Sequence, residues 1–269
     1  MFDPAAVKEK CNGMLSANMY GRIYELARNA PGESFIEVGA AHGAATICLA
    51  SALRDSGRGG KVYSFEKITG GSRGRFGNFE TNKRMIEDNI AFFGLGDRIV
   101  MNYGLVEELA TVIPERADFG LLMLDADGRI DRDFSLFFDK LVDHAVMIID
   151  DVAPQVRVKT ASGSLNARRV FVDQKHRLSN LLVDFFTRQG MIEGAMLEGT
   201  WVGKKSGDHF DPKLWSSIVE QYRELVFADA PYEVVPGGFR GMLARQAKRV
   251  LPGPIVQRLR RFKSQHSVA

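Results

Sequence analysis

Apolar and polar positions along the chain follow two rhythms. Residues 34–38 (SFIEV), 62–65, 98–102, 119–124 and 145–149 are short runs rich in β-branched and aromatic residues, with the length and character of strands. Between them, the spacing of apolar positions predicts helices over 44–53, 80–93, 106–112 and 133–142. Residues 4–29 show mixed helical periodicity up to the stop signal Asn29-Ala30-Pro31-Gly32. A long amphipathic helix is expected within 165–189, followed by two β-type runs, 191–197 and 200–204, joined like a hairpin at Glu198-Gly199. Strands alternating with helices predict an α/β fold: a seven-stranded, mostly parallel sheet covered by helices on both faces, with an antiparallel pair at its end.

The chain of 269 residues is long for one domain and short for two. The expected layout is an N-terminal helical extension over 1–30, a central domain over 31–207 and a basic helical extension over 208–269. Nearly half the residues are apolar, enough for a core, yet no apolar run reaches the roughly 20 residues that span a bilayer, and the N-terminus has no hydrophobic leader. A cytoplasmic protein is expected. The two cysteines, Cys11 and Cys48, offer neither a disulfide framework nor a paired-cysteine metal site.

Charge is unevenly placed. Residues 234–269 hold eight Lys/Arg and no Asp/Glu, leaving 28 basic against 33 acidic residues in the rest of the chain. The tail from Arg240 to Lys263 mixes apolar residues with cations around a Pro-Gly-Pro break. It can rest on an anionic membrane or glycolipid surface, or dock on the body or on a second copy of the chain. Nucleic acid is disfavoured as a partner, because the body is acidic and the tail lacks aromatic stacking platforms.

Candidate chemistry gathers at strand ends. The first strand runs into Gly39-Ala40-Ala41-His42-Gly43, where two glycines permit a tight turn and close approach of a ligand. Ala41 stands where a dinucleotide fingerprint would have its second glycine, which weighs against NAD. His42 reads as a turn residue lining a cofactor site. Two very apolar strands end in carboxylates, "LLMLDADG" at Asp125 and Asp127 and "VMIIDDV" at Asp150 and Asp151. Two carboxylates 4 Å apart repel by about 4 kcal/mol at an effective dielectric near 20. A cluster of them on neighbouring strands therefore protonates, splays apart or binds a hard cation such as Mg²⁺, Mn²⁺ or Ca²⁺. The alternative is ordinary turn and cap chemistry.

On Glu37-x-Gly39-x-x-x-Gly43 the sequence resembles the class I S-adenosylmethionine-dependent methyltransferases, whose Rossmann-like fold the predicted elements match. The resemblance puts Glu37, Gly39, Ala40, His42 and Gly43 around the cofactor, and makes Glu66, at the end of the second strand, the acceptor of the ribose hydroxyls. Gly104 and Asp125 complete the expected cofactor contacts. "LDADG" is similar to the "VDADK" of caffeoyl-CoA O-methyltransferases, and "IIDD" to the bacterial sugar O-methyltransferases of the macrocin and novobiocin pathways. By resemblance, Asp125, Asp150 and Asp151 hold a divalent cation, with Mg²⁺ expected, and Asp127 is the catalytic base. The catechol and caffeoyl-CoA types carry a lysine three residues after the first aspartate, where this chain has Gly128. The implied reaction is methylation of a hydroxyl on a saccharide or glycosylated natural product. The rivals are a catechol-type methyltransferase and a non-catalytic methyltransferase-like subunit.

Two further features remain open between function and surface. The basic, glycine-rich segment 67–79 can be a lid bringing Arg73 and Arg75 to a substrate, or a plain surface loop. Arg168, Arg169 and Lys175 lie where acceptor contacts are found, or on a solvated helical face.

Overall fold

The computed structural model describes residues 2–68, 79–115, 118–154, 157–160, 170–173 and 175–211. The tail, Arg73, Arg75, Arg168 and Arg169 lie outside them. The chain divides into two units, Met1–Gln155 with Lys175–Ala228, and Val156–Gln174 with Asp229–Ala269.

In the first unit, five parallel strands form the sheet: β1 (Ser34–Val38), β2 (Val62–Glu66), β3 (Ile99–Tyr103), β4 (Phe119–Leu124) and β5 (Leu141–Ile149). Two antiparallel strands, β8 (Ile192–Leu197) and β9 (Thr200–Lys205), complete it in the order β3-β2-β1-β4-β5-β9-β8. Every residue of β1 and β4 is buried, which explains why both read as continuous apolar runs. Period-2 alternation divides them between two cores. Ile36, Val38, Leu122 and Leu124 face Phe134, Phe137 and Phe186, whereas Phe35, Leu121 and Met123 face Ile23, Ile47 and Leu49.

The helices of this unit are α1 (Pro4–Lys10), α2 (Ala17–Asn29), α3 (Ala44–Asp55), α4 (Phe79–Phe92), α5 (Val106–Leu109), α6 (Ile130–Phe137) and α7 (Lys175–Arg188). Asp3 caps α1 by accepting from Ala5 and Ala6 N–H, and Ser16 caps α2 by accepting from Met19 N–H. Met19, Tyr20, Ile23, Tyr24 and Ala27 recur at helical spacing and bury α2 against α3. None of the described helices is long and apolar enough to cross a membrane.

Three boundaries depart from expectation. Helix α6 begins at Ile130 rather than 133, because Ile130, Phe134 and Phe137 all fill the core. Strand β5 begins at Leu141, four residues early, since the exposed Asp143 and His144 interrupt its apolar run after Leu141 and Val142. Helix α7 begins at Lys175, and Val170–Asp173, expected to be helical, is a strand.

In the second unit that strand, β7 (Val170–Asp173), pairs antiparallel with β6 (Arg157–Thr160). Alternation of β-branched and aromatic residues in Val170-Phe171-Val172 prevails there over the helical pattern.

The register of the sheet prepares the site. Val38 pairs with Leu124 and Leu124 with Ile149, so the next residues, Gly39, Asp125 and Asp150, emerge side by side at the carboxyl edge. The ladder continues one step further, with Asp125 N–H donating to Val38 O (2.8 Å) and Asp150 N–H to Leu124 O (2.9 Å). Ile149 pairs with Trp201, which brings Thr200 beside Asp150.

Candidate active site

The turn after β1 is built for close approach. Gly39 has φ +100°, and a Cβ there would lie 2.1 Å from the Asp125 carbonyl oxygen, so only glycine lets β1 and β4 end this near each other. Gly43, at φ +84°, caps the start of α3. Ala41 N–H donates to Glu66 Oε2 (2.6 Å) and Ile68 N–H to Oε1 (3.0 Å), which fixes the Glu66 carboxylate across the turn. Gly104 N–H donates to the Glu66 carbonyl (3.0 Å), so the end of β3 meets the same point. His42 is buried, its Nδ1 is 3.2 Å from Cys11 O, and its carbonyl accepts from Asn89 Nδ2 (3.0 Å). The α1–α2 loop forms the opposite wall of a cleft bounded by Tyr20, Gly39, Ala40 and Asp125. That wall, contributed by residues 11–15, carries no motif and was invisible to sequence reading.

Glu37 lies behind this turn, fully buried between the sheet and α3. Its Oε2 accepts from Thr46 Oγ1 and Ser64 Oγ, both at 2.5 Å, while Oε1 has no hydrogen-bond partner among the described residues. Burial pushes its carboxyl up to about 7, against the downward pull of the Ser64 and Thr46 hydroxyls. An orphaned acceptor beside a glycine turn fits a ligand that carries an N–H or ammonium donor, such as the amino-acid end of S-adenosylmethionine.

Asp125, Asp150 and Asp151 come together as the sequence suggests, each offering one oxygen within 4.8 Å of the others. Thr200 Oγ1 donates to Asp150 Oδ1 (2.6 Å), and burial raises the Asp150 pKa. Asp151 adopts φ +57°, with His176 Nδ1 3.2 Å from its Oδ1. The donor set is all-oxygen and fits a hard divalent cation. A cation of another kind already stands there: Lys175 Nζ is 2.7 Å from Asp151 Oδ2 and 3.5 Å from Asp125 Oδ1. Burial alone would lower the Lys175 pKa, but the charges of Asp125 and Asp151 outweigh it and raise it. Lys175 thus points into the carboxylates and away from the solvated face open to it in the sequence. Gly128 makes this packing possible, since a Cβ at its φ of +78° would lie 3.0 Å from Lys175 O and from Ser179 Oγ.

Asp127 takes a different course. Its Oδ2 pairs with Arg132 Nη1 (2.9 Å), its Oδ1 accepts from Arg129 N–H (3.2 Å), and the side chain is 57% exposed. Burial raises its pKa, but the Arg132 charge and hydrogen bond prevail and hold it below the usual carboxylate range. Arg132 also pairs with Asp133 (2.7 Å) and Glu107 (3.5 Å). Sequence reading missed Arg132, for which the only signal is its place in the first turn of the helix after "LDADG". Thr200 was legible as the start of β9 but not as a partner of Asp150.

Residues 36–152 match the family model described as a methyltransferase domain. The fold is similar to that of TomG, an O-methyltransferase from Streptomyces achromogenes involved in tomaymycin synthesis and solved with S-adenosylmethionine: 14% identity, TM-score 0.54, 76% of this chain and 88% of that one covered. An O-methyltransferase from Bacillus cereus in complex with S-adenosylhomocysteine gives 17% identity, a TM-score of 0.52 and coverage of 71% and 82%. The O-methyltransferase NovP gives 14%, 0.51, and coverage of 72% and 82%. No curated protein matches the chain in sequence. Sheet order and glycine turn agree with these comparisons: the chain shares the fold of these O-methyltransferases, and its residues 36–152 match a methyltransferase domain.

Proposed function

We propose that the chain is an O-methyltransferase that uses a divalent cation to methylate a hydroxyl of a saccharide or glycosylated natural product. The observation that carries the reading is the convergence of Asp125, Asp150 and Asp151 next to the Gly39 turn. Gly39 to Gly43, Glu37 and Glu66 would hold the methyl donor, and the three aspartates the cation. When bound, the donor supplies an activated methyl group and the cation acidifies the acceptor hydroxyl. Around them, this chain's residues shape the site. Thr200 fixes the rotamer of Asp150, and the loop over residues 11–15 lines the cleft opposite the Gly39 turn. Asp127, ionised at neutral pH through Arg132, takes the hydroxyl proton; its low basicity makes it a weak acceptor, so most of the acceleration comes from positioning.

A second reading, a catechol-type acceptor, is favoured by one observation. The lysine that Gly128 denies to the loop after β4 is delivered to the carboxylates by α7 as Lys175. Methyl transfer from radiolabelled S-adenosylmethionine to panels of glycosides and of catechols, with and without EDTA, separates the readings. Turnover of glycosides abolished by EDTA supports the first. Turnover of catechols alone supports the second, and activity indifferent to EDTA removes the cation from both.

A further inference from the structure

We infer that the Lys175 ammonium is an exchangeable occupant of the carboxylate cluster, a built-in competitor that a divalent cation must displace before it binds. The inference rests on the cation reading above and deepens it.

The ammonium bridges Asp151 at 2.7 Å and Asp125 at 3.5 Å, two of the three groups that would ligate the ion, and they come from different strands. An ammonium offers three donors and a compact charge, so it satisfies the same carboxylate lone pairs that a hard cation would use. Two cations sharing those oxygens would repel across a few ångströms in a half-buried site. One of them must leave. Lys175 can, because its side chain is 21% exposed and sits on a flexible four-carbon stem in the first turn of α7. The rest of the cluster stays assembled without it, since Thr200 holds Asp150 and His176 lies against Asp151. Gly128 is part of the device, as any side chain there would press on the backbone that carries Lys175. The apo protein thus keeps its carboxylates compensated, and affinity for the ion is lowered by the share of time the ammonium occupies the cluster.

The test is Mn²⁺ binding to the full chain without S-adenosylmethionine, read from the loss of the free-ion electron paramagnetic resonance signal. Wild type, Lys175→Met, Lys175→Gln and Lys175→Arg are compared, with folding of each verified by circular dichroism. Two neutral variants guard against misfolding of one. The inference expects Lys175→Met and Lys175→Gln to bind Mn²⁺ at least about tenfold more tightly than wild type, as removal of an occupant present nine-tenths of the time would give. Lys175→Arg, which keeps the charge, should stay near wild type. Equal or weaker binding by the neutral variants overturns the inference and leaves the cation reading standing. Absence of Mn²⁺ binding in every folded variant overturns the cation reading and the inference with it.

Discussion

Glu37→Gln should make the cofactor-free protein more stable at alkaline pH, by an amount that can be worked from the buried carboxyl. In the folded chain Glu37 is fully buried and titrates near 7, against an ordinary 4.5. Between those two values the folded state holds a proton that the unfolded chain has released, so stability falls as pH rises through the interval and stays low above it. The span from 4.5 to about 7 corresponds to about 3 kcal/mol. Glutamine keeps the acceptor for Ser64 and Thr46 and never ionises. Its stability should therefore match wild type near pH 4.5 and exceed it by up to about 3 kcal/mol at pH 8. Asp133, also pushed up to about 7 by burial against the pull of Arg132, titrates in both proteins and cancels in the difference. Urea unfolding followed by circular dichroism at pH 4.5, 6, 7 and 8 reads the effect. Parallel stability curves for the two proteins would refute the reasoning. The same substitution should weaken S-adenosylmethionine binding, because an amide N–H₂ replaces the unpartnered Oε1, so stability and function move in opposite directions.

Three further outcomes are expected. Asp127→Asn should lower turnover by no more than about 10²-fold with cofactor affinity unchanged, the low end of losing a general base, as its low basicity implies; because Arg132 holds Asp127 below the usual carboxylate range, the wild-type rate should show no acid limb from this group between pH 5 and 8. Gly39→Ala should destabilise by more than ~1 kcal/mol in thermal melts and abolish cofactor binding in calorimetry, as its Cβ would meet the Asp125 backbone. Liposome co-sedimentation with and without residues 237–269, which carry all eight cations of the basic tail, separates the tail's two roles: sedimentation lost on removal assigns it to an anionic membrane surface, and absent or undiminished sedimentation excludes it as a membrane contact.

The sequence made the scaffold legible because its two central strands, β1 and β4, are buried on both faces. SFIEV and FGLLML can hardly be anything but inner strands, and their register then fixes Gly39, Asp125 and Asp150 in a row. The carboxylate cluster was legible for the same reason. What stayed hidden depends on side-chain direction and on segments without apolar rhythm. Lys175 belongs to a polar helix start that reads as surface, and only the packing of α7 on Gly128 turns it inward. The pairing of Asp127 with Arg132 depends on α6 starting at Ile130, three residues before the start that the apolar spacing predicts. The wall over residues 11–15 has no pattern of its own and takes its place from α1 and α2 packing on the body.

Diffraction from crystals of the full chain grown with S-adenosylhomocysteine and Mn²⁺, measured for anomalous scattering, tests the whole assignment most directly. The account predicts the nucleoside along Gly39 to Gly43 with its ribose on Glu66, and a Mn²⁺ peak among Asp125, Asp150 and Asp151 with Lys175 swung away. A nucleoside bound elsewhere, or aspartates still holding Lys175 with no anomalous peak, would contradict it.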